Sequence, residues 1–167
     1  FNAMWNLALG GSVVTLTGRH FDPVELLDAV ERHRVNSMSI VGDAFAKPIL
    51  RALDESDGSI DFSSMRVIMS SGVIWSAETK AGLLRHNPRL IMVDSLGSSE
   101  AIGMATSTFT ADTATTTGTA TAKFALGPNT KVLTEDGREV EPGSGERGRV
   151  EVRGDHGGHV PHRVHRH

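Results

Sequence analysis

The chain has 167 residues, with 17 basic and 20 acidic side chains, a formal net charge of −3 and no cysteine. The near balance of charges argues against a strongly basic nucleic-acid-binding protein, and the lack of cysteine excludes disulfide frameworks, zinc ribbons and thiol nucleophiles. The sequence contains neither an apolar run of the roughly 18 residues that a membrane span needs nor a cationic segment ahead of an apolar stretch. We therefore expect a cytoplasmic protein without a membrane span.

The first predicted elements alternate between strand and helix. Residues 12–16 are rich in β-branched side chains, which favours a strand. Asp22 and Pro23 predict the start of a helix, because Asp accepts hydrogen bonds from free N–H groups and Pro fits the first turn. A second strand is predicted over residues 36–41.

The alternation continues along the chain. A helix is predicted over residues 44–53, and Pro48 is expected to kink it or to delay its start. Residues 65–70 and 90–93 predict further strands, and Ser76 is expected to cap the helix between them.

Strands that alternate with helices indicate the α/β class, with parallel βαβ sheet layers and helices on both faces. Ligands of such sheets bind beyond the carboxyl ends of the strands. The loops that follow Ser70 and Val93 are therefore the first places to search for a binding site.

The amino-acid composition changes after residue 104. Thr, Ala and Ser dominate the next stretch, which predicts a solvated loop or a β-rich connection. A small antiparallel β piece is predicted to follow, with a hairpin over residues 131–140 and an alternating strand over residues 149–153. Four segments are predicted. An incomplete α/β subdomain covers residues 1–104, and the Thr/Ala-rich connection covers residues 105–122. An incomplete β-rich subdomain covers residues 123–154, and a tail covers residues 155–167.

The predicted tail holds five of the eight histidines of the chain: His156, His159, His162, His165 and His167. Because this segment has few apolar side chains to bury, it is predicted to be disordered. Histidines are also metal ligands, but a frame-shifted or cloning-derived end is the interpretation that we favour.

The loop after the strand at residues 90–93 carries groups that suit a nucleotide phosphate. Gly97 lets the backbone approach a ligand closely, and Ser98 and Ser99 offer hydroxyl and N–H groups to an anion. Glu100 supplies a carboxylate of the kind that Mg²⁺ prefers. Taken alone, the same residues also fit an ordinary turn with a surface glutamate.

The loop after the strand at residues 65–70 contains Gly72, which would bring backbone amides close to a flat heterocycle. A tight turn between strand and helix explains the same residues. The sequence has no Walker-type phosphate loop, no dinucleotide-binding glycine fingerprint and no nucleophile elbow, so these other sites are unsupported.

Together, these loops and their surroundings resemble a known family, the adenylate-forming acyl-CoA synthetases. The superfamily includes luciferases and peptide-synthetase adenylation domains. The resemblance covers the central part of the family's N-terminal domain and is carried by residues 10–16, 21–35, 62–76, 94–100 and 126–154. The last block is typical of bacterial fatty-acyl-CoA synthetases, including those of sterol catabolism. A truncated part of an adenylate-forming N-terminal domain is therefore the expected fold.

The resemblance implies a ligase that activates a fatty or sterol-derived carboxylic acid in two steps. ATP and the acid form acyl-AMP, and coenzyme A then forms the thioester, with Mg²⁺ as the metal. The implied catalytic residues are Ser99, whose hydroxyl contacts phosphate, and Glu100, which holds the metal. The sequence departs from the family motif at Leu96, where an aromatic residue is usual, and at Ser99, where Thr is usual.

The resemblance also implies two groups of binding residues. Those for the nucleotide are Ser71, Gly72, Val73, Ile74, Asp94, Leu96, Gly97, Ser98 and Ser99. Those for the acyl chain are Trp5, Ala101, Ile102, Gly103 and Met104, although their apolar character fits an ordinary core equally well.

Other parts of the family's site are not recognisable in this sequence. They include a pyrophosphate-binding loop, a ribose-binding Asp and a C-terminal lid with a catalytic Lys. We therefore expect that the chain alone does not form acyl-AMP. The alternatives are a catalytically inactive nucleotide-binding module and a structural remnant that self-associates through exposed sheet edges.

Overall fold

The computed structural model describes residues 2–73, 75–98, 101, 103–114, 123–153 and 159–162. The helices in these ranges are α1 Asn2–Ala8, α2 Pro23–His33, α3 Gly42–Glu55, α4 Ala77–His86 and α5 Ala111–Ala114. The strands are β1 Ser37–Ile40, β2 Val67–Ser71, β3 Ile91–Leu96, β4 Ala105–Phe109, β5 Ala125–Leu126, β6 Thr130–Leu133, β7 Arg149–Arg153 and β8 His159–His162.

The larger sheet has the strand order β1-β2-β3-β4-β5. Strands β1 and β2 are parallel, with Ser37 opposite Val67, and α3 forms the connection between them. Strands β4 and β5 are antiparallel, so the sheet is mixed. The predicted α/β class is therefore confirmed, with an antiparallel addition at one edge.

The smaller sheet is antiparallel and has the order β6-β7-β8. Strand β7 has the bounds that its alternating sequence predicts. The predicted hairpin is present as a turn after β6, in which the Thr134 N–H donates to the Arg138 carbonyl at 2.8 Å and the Val140 N–H donates to the Val132 carbonyl at 2.8 Å.

Strand β8 lies within the segment that was predicted to be a disordered tail. Its backbone pairs with β7, so the prediction is wrong for these four residues, His159–His162. Composition did not reveal the strand, because the pairing uses backbone C=O groups, which every residue has, and backbone N–H groups, which every residue but proline has. The other tail residues lie outside the described part of the chain.

The chain divides into two compact units, Phe1–Asp94 with Thr108–Ala122 and Ser95–Ser107 with Lys123–His167. The Thr/Ala-rich stretch that was predicted as a connection contains β4 and α5 in its described part. The predicted segment boundaries remain predictions.

The core of the first unit is formed by side chains that α2, α3 and the strands contribute to one cluster. Leu27, Ile49, Leu53, Ile68 and Met92 are each at most 1% exposed. Burial of a side chain of this size contributes about 1.5–3 kcal/mol. This packing holds the ends of β1 and β2 in place.

Helix α2 begins where its sequence predicts. The Asp22 carboxylate accepts from the Val24 N–H at 2.8 Å, and Pro23 is the first helical residue. Helix α3 begins at Gly42, upstream of Pro48, so the expected late start is wrong. The buried face of α3, which includes Ile49 and Leu53, offsets the hydrogen bond that the proline ring removes.

Residues 12–16 form no strand, contrary to the prediction. Val13 and Val14 are 39% and 41% exposed, and the segment that follows is bound to α2 instead, because the Glu25 carboxylate accepts from the Thr17 N–H at 3.0 Å. A β-branched run becomes a strand only when a neighbouring strand supplies hydrogen bonds and packing.

Candidate functional site

The junction between β1 and α3 lies beside the carboxyl end of β2. Gly42 has a φ of 52° at this junction, and its N–H donates to the Ser70 hydroxyl at 2.8 Å in a buried setting. Ser70 is 2% exposed, and its hydroxyl joins the carboxyl end of β2 to the start of α3, the helix that follows β1.

The Gly72 loop, residues 70–76, comprises the last two residues of β2 and the connection to α4; Ile74 lies outside the described residues. Gly72 has a φ of 93°, and among the described residues an added Cβ would meet only Val41 Cγ1, at 3.8 Å. The left-handed backbone favours glycine here, since L side chains are strained in that region. Val41 and Val73 are 43% and 54% exposed, so the bare backbone has exposed apolar neighbours. Open backbone beside exposed apolar side chains suits a flat ring, and the contact with adenine stays a prediction.

The far end of the Gly72 loop is bound by Asp43. Its Oδ1 atom accepts from both the N–H and the hydroxyl of Ser76, each at 3.0 Å. Burial disfavours the charged form, but these two hydrogen bonds and the Lys47 ammonium, 3.1 Å from Oδ2, lower the pKa of Asp43 below its ordinary value. Asp43 therefore carries a negative charge at neutral pH.

Ser76 has a second role as the cap of α4, as its sequence predicts. Its hydroxyl accepts from the Thr79 N–H at 3.3 Å and lies 2.8 Å from the Thr79 hydroxyl. One serine thus joins the start of α4 to the start of α3.

The carboxylate of Asp94 forms an ion pair with the ammonium of Lys80. The two side chains are 10% and 4% exposed, and the Lys80 Nζ lies 5.2 Å from the centroid of the Trp75 ring and 5.6 Å from that of Phe109. The buried indole N–H of Trp75 has no hydrogen-bond partner in the described part of the chain. The role of Asp94 in nucleotide binding remains a prediction, and its carboxylate is already paired.

The contacts of Asp43 and Lys80 were not predicted from the sequence. Lys80 lies three and four residues before Leu83 and Leu84 and so shares the buried face of α4. Because a lysine is rarely buried without a partner, this position could have indicated a nearby carboxylate. For Asp43, the sequence carried no signal, since an acidic residue in the first turn of a helix is ordinary.

The second predicted loop follows β3 and forms a tight turn. The Ser98 N–H donates to the Ala101 carbonyl at 2.9 Å, and the Ala101 N–H approaches the Ser98 hydroxyl at 3.2 Å. Gly97 is exposed and Leu96 is half-buried. Ser99 and Glu100, the implied catalytic residues, lie outside the described part of the chain, so their roles remain predictions.

The residues implied for the acyl chain have different surroundings. Ala101 and Met104 are buried at 7% and 3% exposure, whereas Trp5 is 60% exposed on α1. Gly103 has a φ of 70°, and Ile102 lies outside the described residues. Their role in acyl binding stays a prediction.

A search of the described residues for clusters of His, Cys, Asp or Glu that could hold a metal ion finds none. None of the described helices is both long and apolar enough to cross a membrane.

The mixed sheet with its helices defines an α/β protein. The chain belongs to the AMP-binding enzyme family, which matches residues 1–158.

Curated relatives of this chain are acyl-CoA ligases. The chain is 34% identical over 163 residues to a medium/long-chain-fatty-acid–CoA/3-oxocholest-4-en-26-oate–CoA ligase of Mycolicibacterium smegmatis, an overlap of 96% of this chain and 28% of the relative. It is 35% identical over 153 residues to a 3-oxocholest-4-en-26-oate–CoA ligase of Rhodococcus rhodochrous, covering 87% of this chain and 26% of the relative. The chain therefore spans little more than a quarter of these relatives.

Solved structures of similar fold support the same family. A long-chain-fatty-acid-CoA ligase from Archaeoglobus fulgidus matches 80% of this chain and 27% of its own, with a TM-score of 0.57 and 25% identity. The nonribosomal peptide synthetase FmoA3 matches 93% of this chain and 16% of its own, with a TM-score of 0.69. At 19% identity, the second likeness shows the fold alone.

Proposed function

We propose that this chain supplies the nucleotide-binding part of an acyl-CoA ligase whose substrate is a fatty or sterol-derived carboxylic acid. The observation that carries the proposal is the open, left-handed backbone of Gly72 at the carboxyl end of β2, flanked by the exposed Val41 and Val73. Membership of the AMP-binding enzyme family and relatives that are CoA ligases support it.

The proposed reaction has two balanced steps. A carboxylate oxygen attacks the α-phosphorus of ATP, the bond to the β-phosphate oxygen breaks, and pyrophosphate leaves acyl-AMP. The thiol of coenzyme A then attacks the acyl carbon, loses its proton, and expels AMP as the thioester forms. Both the carboxylate and the triphosphate are negatively charged, so oriented donors and a cation must offset their repulsion.

In this proposal, the Gly72 loop of the first unit places bare backbone against the adenine. The family resemblance implies that Gly97 and the Ser98 hydroxyl serve the phosphates, and that Ser99 and Glu100 would contact phosphate and Mg²⁺.

Calorimetric titration with AMP tests the nucleotide site. We expect the unaltered chain to bind AMP, and Gly72→Ala to weaken that binding by about tenfold or more, because a Cβ in a left-handed backbone costs about 1–2 kcal/mol and shifts the loop. The matched control is Gly58→Ala, since Gly58 also has a positive φ, of 81°, and an added Cβ there meets nothing within 4 Å. Equal AMP affinity in the two variants would contradict the proposal.

A second candidate function is nucleotide binding without turnover. The specific observation in its favour is that the chain spans 28% of its ligase relative. The two candidates differ in pyrophosphate release, which the unaltered chain shows only if it is a ligase by itself.

A further inference from the structure

We propose that Asp43 is a positioning residue that fixes the Gly72 loop for nucleotide binding, an inference that rests on the proposed function. Its starting point is that both ends of the loop are bound to the same junction between β1 and α3. At the near end, the Gly42 N–H donates to the Ser70 hydroxyl at 2.8 Å. At the far end, Asp43 Oδ1 accepts from the Ser76 N–H and hydroxyl, each at 3.0 Å.

The two anchors differ in what they hold. The contact at Ser70 is buried within the end of a strand, whose position the sheet pairing of β1 with β2 already sets. The Ser76 contact joins residues 33 positions apart in sequence and lies where the loop has left the sheet. Between the anchors, Gly72 and Val73 are exposed, whereas Trp75 is 3% exposed and packs in the core. Asp43 therefore adds a polar anchor at Ser76, beside the apolar one at Trp75, and limits the position of the exposed backbone.

The charge of Asp43 strengthens this contact. Hydrogen bonds to a carboxylate are about twice as strong as those between neutral groups. Lys47, one turn further along α3, lies 3.1 Å from Oδ2 and leaves Oδ1 to Ser76. The carboxylate is 23% exposed, so water screens the contact only in part.

The loop and the cap of α4 are separable, which makes the proposal testable. Ser76 caps α4 through its own hydroxyl and the Thr79 N–H, a bond that does not involve Asp43. Loss of the Asp43 carboxylate should therefore free the loop without unfolding α4. A residue with only a structural role would instead speed the exchange of the amides inside α4 together with that of Ser76.

The experiment measures two quantities on the full chain: hydrogen exchange of the Ser76 amide by NMR, and AMP affinity by calorimetry. For Asp43→Ala we expect exchange at Ser76 to become about tenfold to a hundredfold faster and the Kd for AMP to rise about tenfold, with the exchange of amides inside α4 unchanged. Asp43→Asn, which keeps an acceptor oxygen and the side-chain volume, should restore most of both quantities.

The matched control is Asp28→Ala on α2. Asp28 pairs with Arg32 four residues later, as Asp43 pairs with Lys47, but it has no contact with the loop among the hydrogen bonds of the described residues. The proposal is overturned if Asp43→Ala leaves Ser76 protected, or if it frees Ser76 while AMP binds as tightly as before. If the unaltered chain binds no AMP, the proposed function fails and this proposal fails with it, whereas a failure confined to Asp43→Ala leaves the proposed function standing.

Discussion

The buried ion pair between Lys80 and Asp94 is the most consequential contact at the scale of single residues. Burial of two charges costs several kcal/mol, which the pair recovers only because each charge faces the other. The Trp75 and Phe109 rings near the ammonium add cation–π attraction.

Substitution of Lys80 tests the ion pair. Lys80→Met should lower the free energy of unfolding by about 3–5 kcal/mol, because it leaves the Asp94 carboxylate buried without a partner. The double variant Lys80→Met/Asp94→Leu should recover most of that loss. Denaturant titrations measure both values.

The control for this prediction is Lys131→Met. Lys131 and Glu139 form an ion pair at 2.7 Å in which the side chains are 54% and 57% exposed, so its loss should cost about 0–1 kcal/mol. A Lys80→Met variant as stable as the Lys131→Met variant would show that the buried pair contributes little.

At the scale of secondary-structure elements, sequence predicts what is local. Helix α2 begins after Asp22, and α4 begins after Ser76, because capping depends on residues within one turn of the helix start. The prediction of a strand over residues 12–16 was wrong because strand formation depends on a partner that the local sequence does not reveal. Strand β8 was missed for the converse reason, because the neighbouring strand β7 pairs with its backbone.

In the candidate site, too, local features were predicted from the sequence and contacts between distant residues were not. Gly72 was singled out because it directly follows a predicted strand and lacks a side chain, and both features are local; the structure gives it a φ of 93°. Asp43 and Lys80 were missed because their partners, Ser76 and Asp94, lie 33 and 14 residues away in sequence. Contacts of this range follow from how α4 packs against α3 and β3, which a single sequence does not disclose.

The contact between α3 and the start of α4 should depend on pH. The folded-state pKa of Asp43 lies below its ordinary value of 3.8, so its stabilising contribution is full above pH 3.8 and is lost as the pH falls through the lowered value. Asp43→Asn keeps an acceptor for Ser76 but removes the charge, and should reduce the free energy of unfolding at neutral pH by about 1 kcal/mol.

Thermal or denaturant unfolding of both chains across pH 3–7 would measure the effect. The difference in unfolding free energy between the unaltered chain and Asp43→Asn should narrow as the pH falls below about 3.8, because Asp43 then binds a proton in the unfolded chain while its folded carboxylate, with the lower pKa, is still charged. The pKa values of Asp61 and Asp136 are lowered as well, by hydrogen bonds with Ser63 and Thr134, and both chains share these groups. A difference that stays constant with pH would contradict the assignment to Asp43.

At the scale of the whole molecule, binding and turnover make different demands. In the proposal, the Gly72 loop of the first unit offers a surface for the adenine of AMP. Transfer of the adenylyl group needs several donors aimed at the charge that develops, each worth about 10²–10³ in rate. The chain spans 28% of the length of its ligase relative, and the family's pyrophosphate-binding loop and ribose-binding Asp are not recognisable in its sequence.

We therefore expect the chain to bind AMP but to release no pyrophosphate from ATP, Mg²⁺ and a panel of fatty and sterol-derived acids beyond what a Glu100→Ala variant releases. A coupled pyrophosphate assay measures this, and adding coenzyme A to the same reaction tests the second step through loss of free thiol. The Glu100→Ala chain is the appropriate blank, because it removes the implied metal contact and retains the Gly72 loop. Acid-dependent release well above that blank would show that these residues suffice for adenylation, and the donors would then have to lie within this chain.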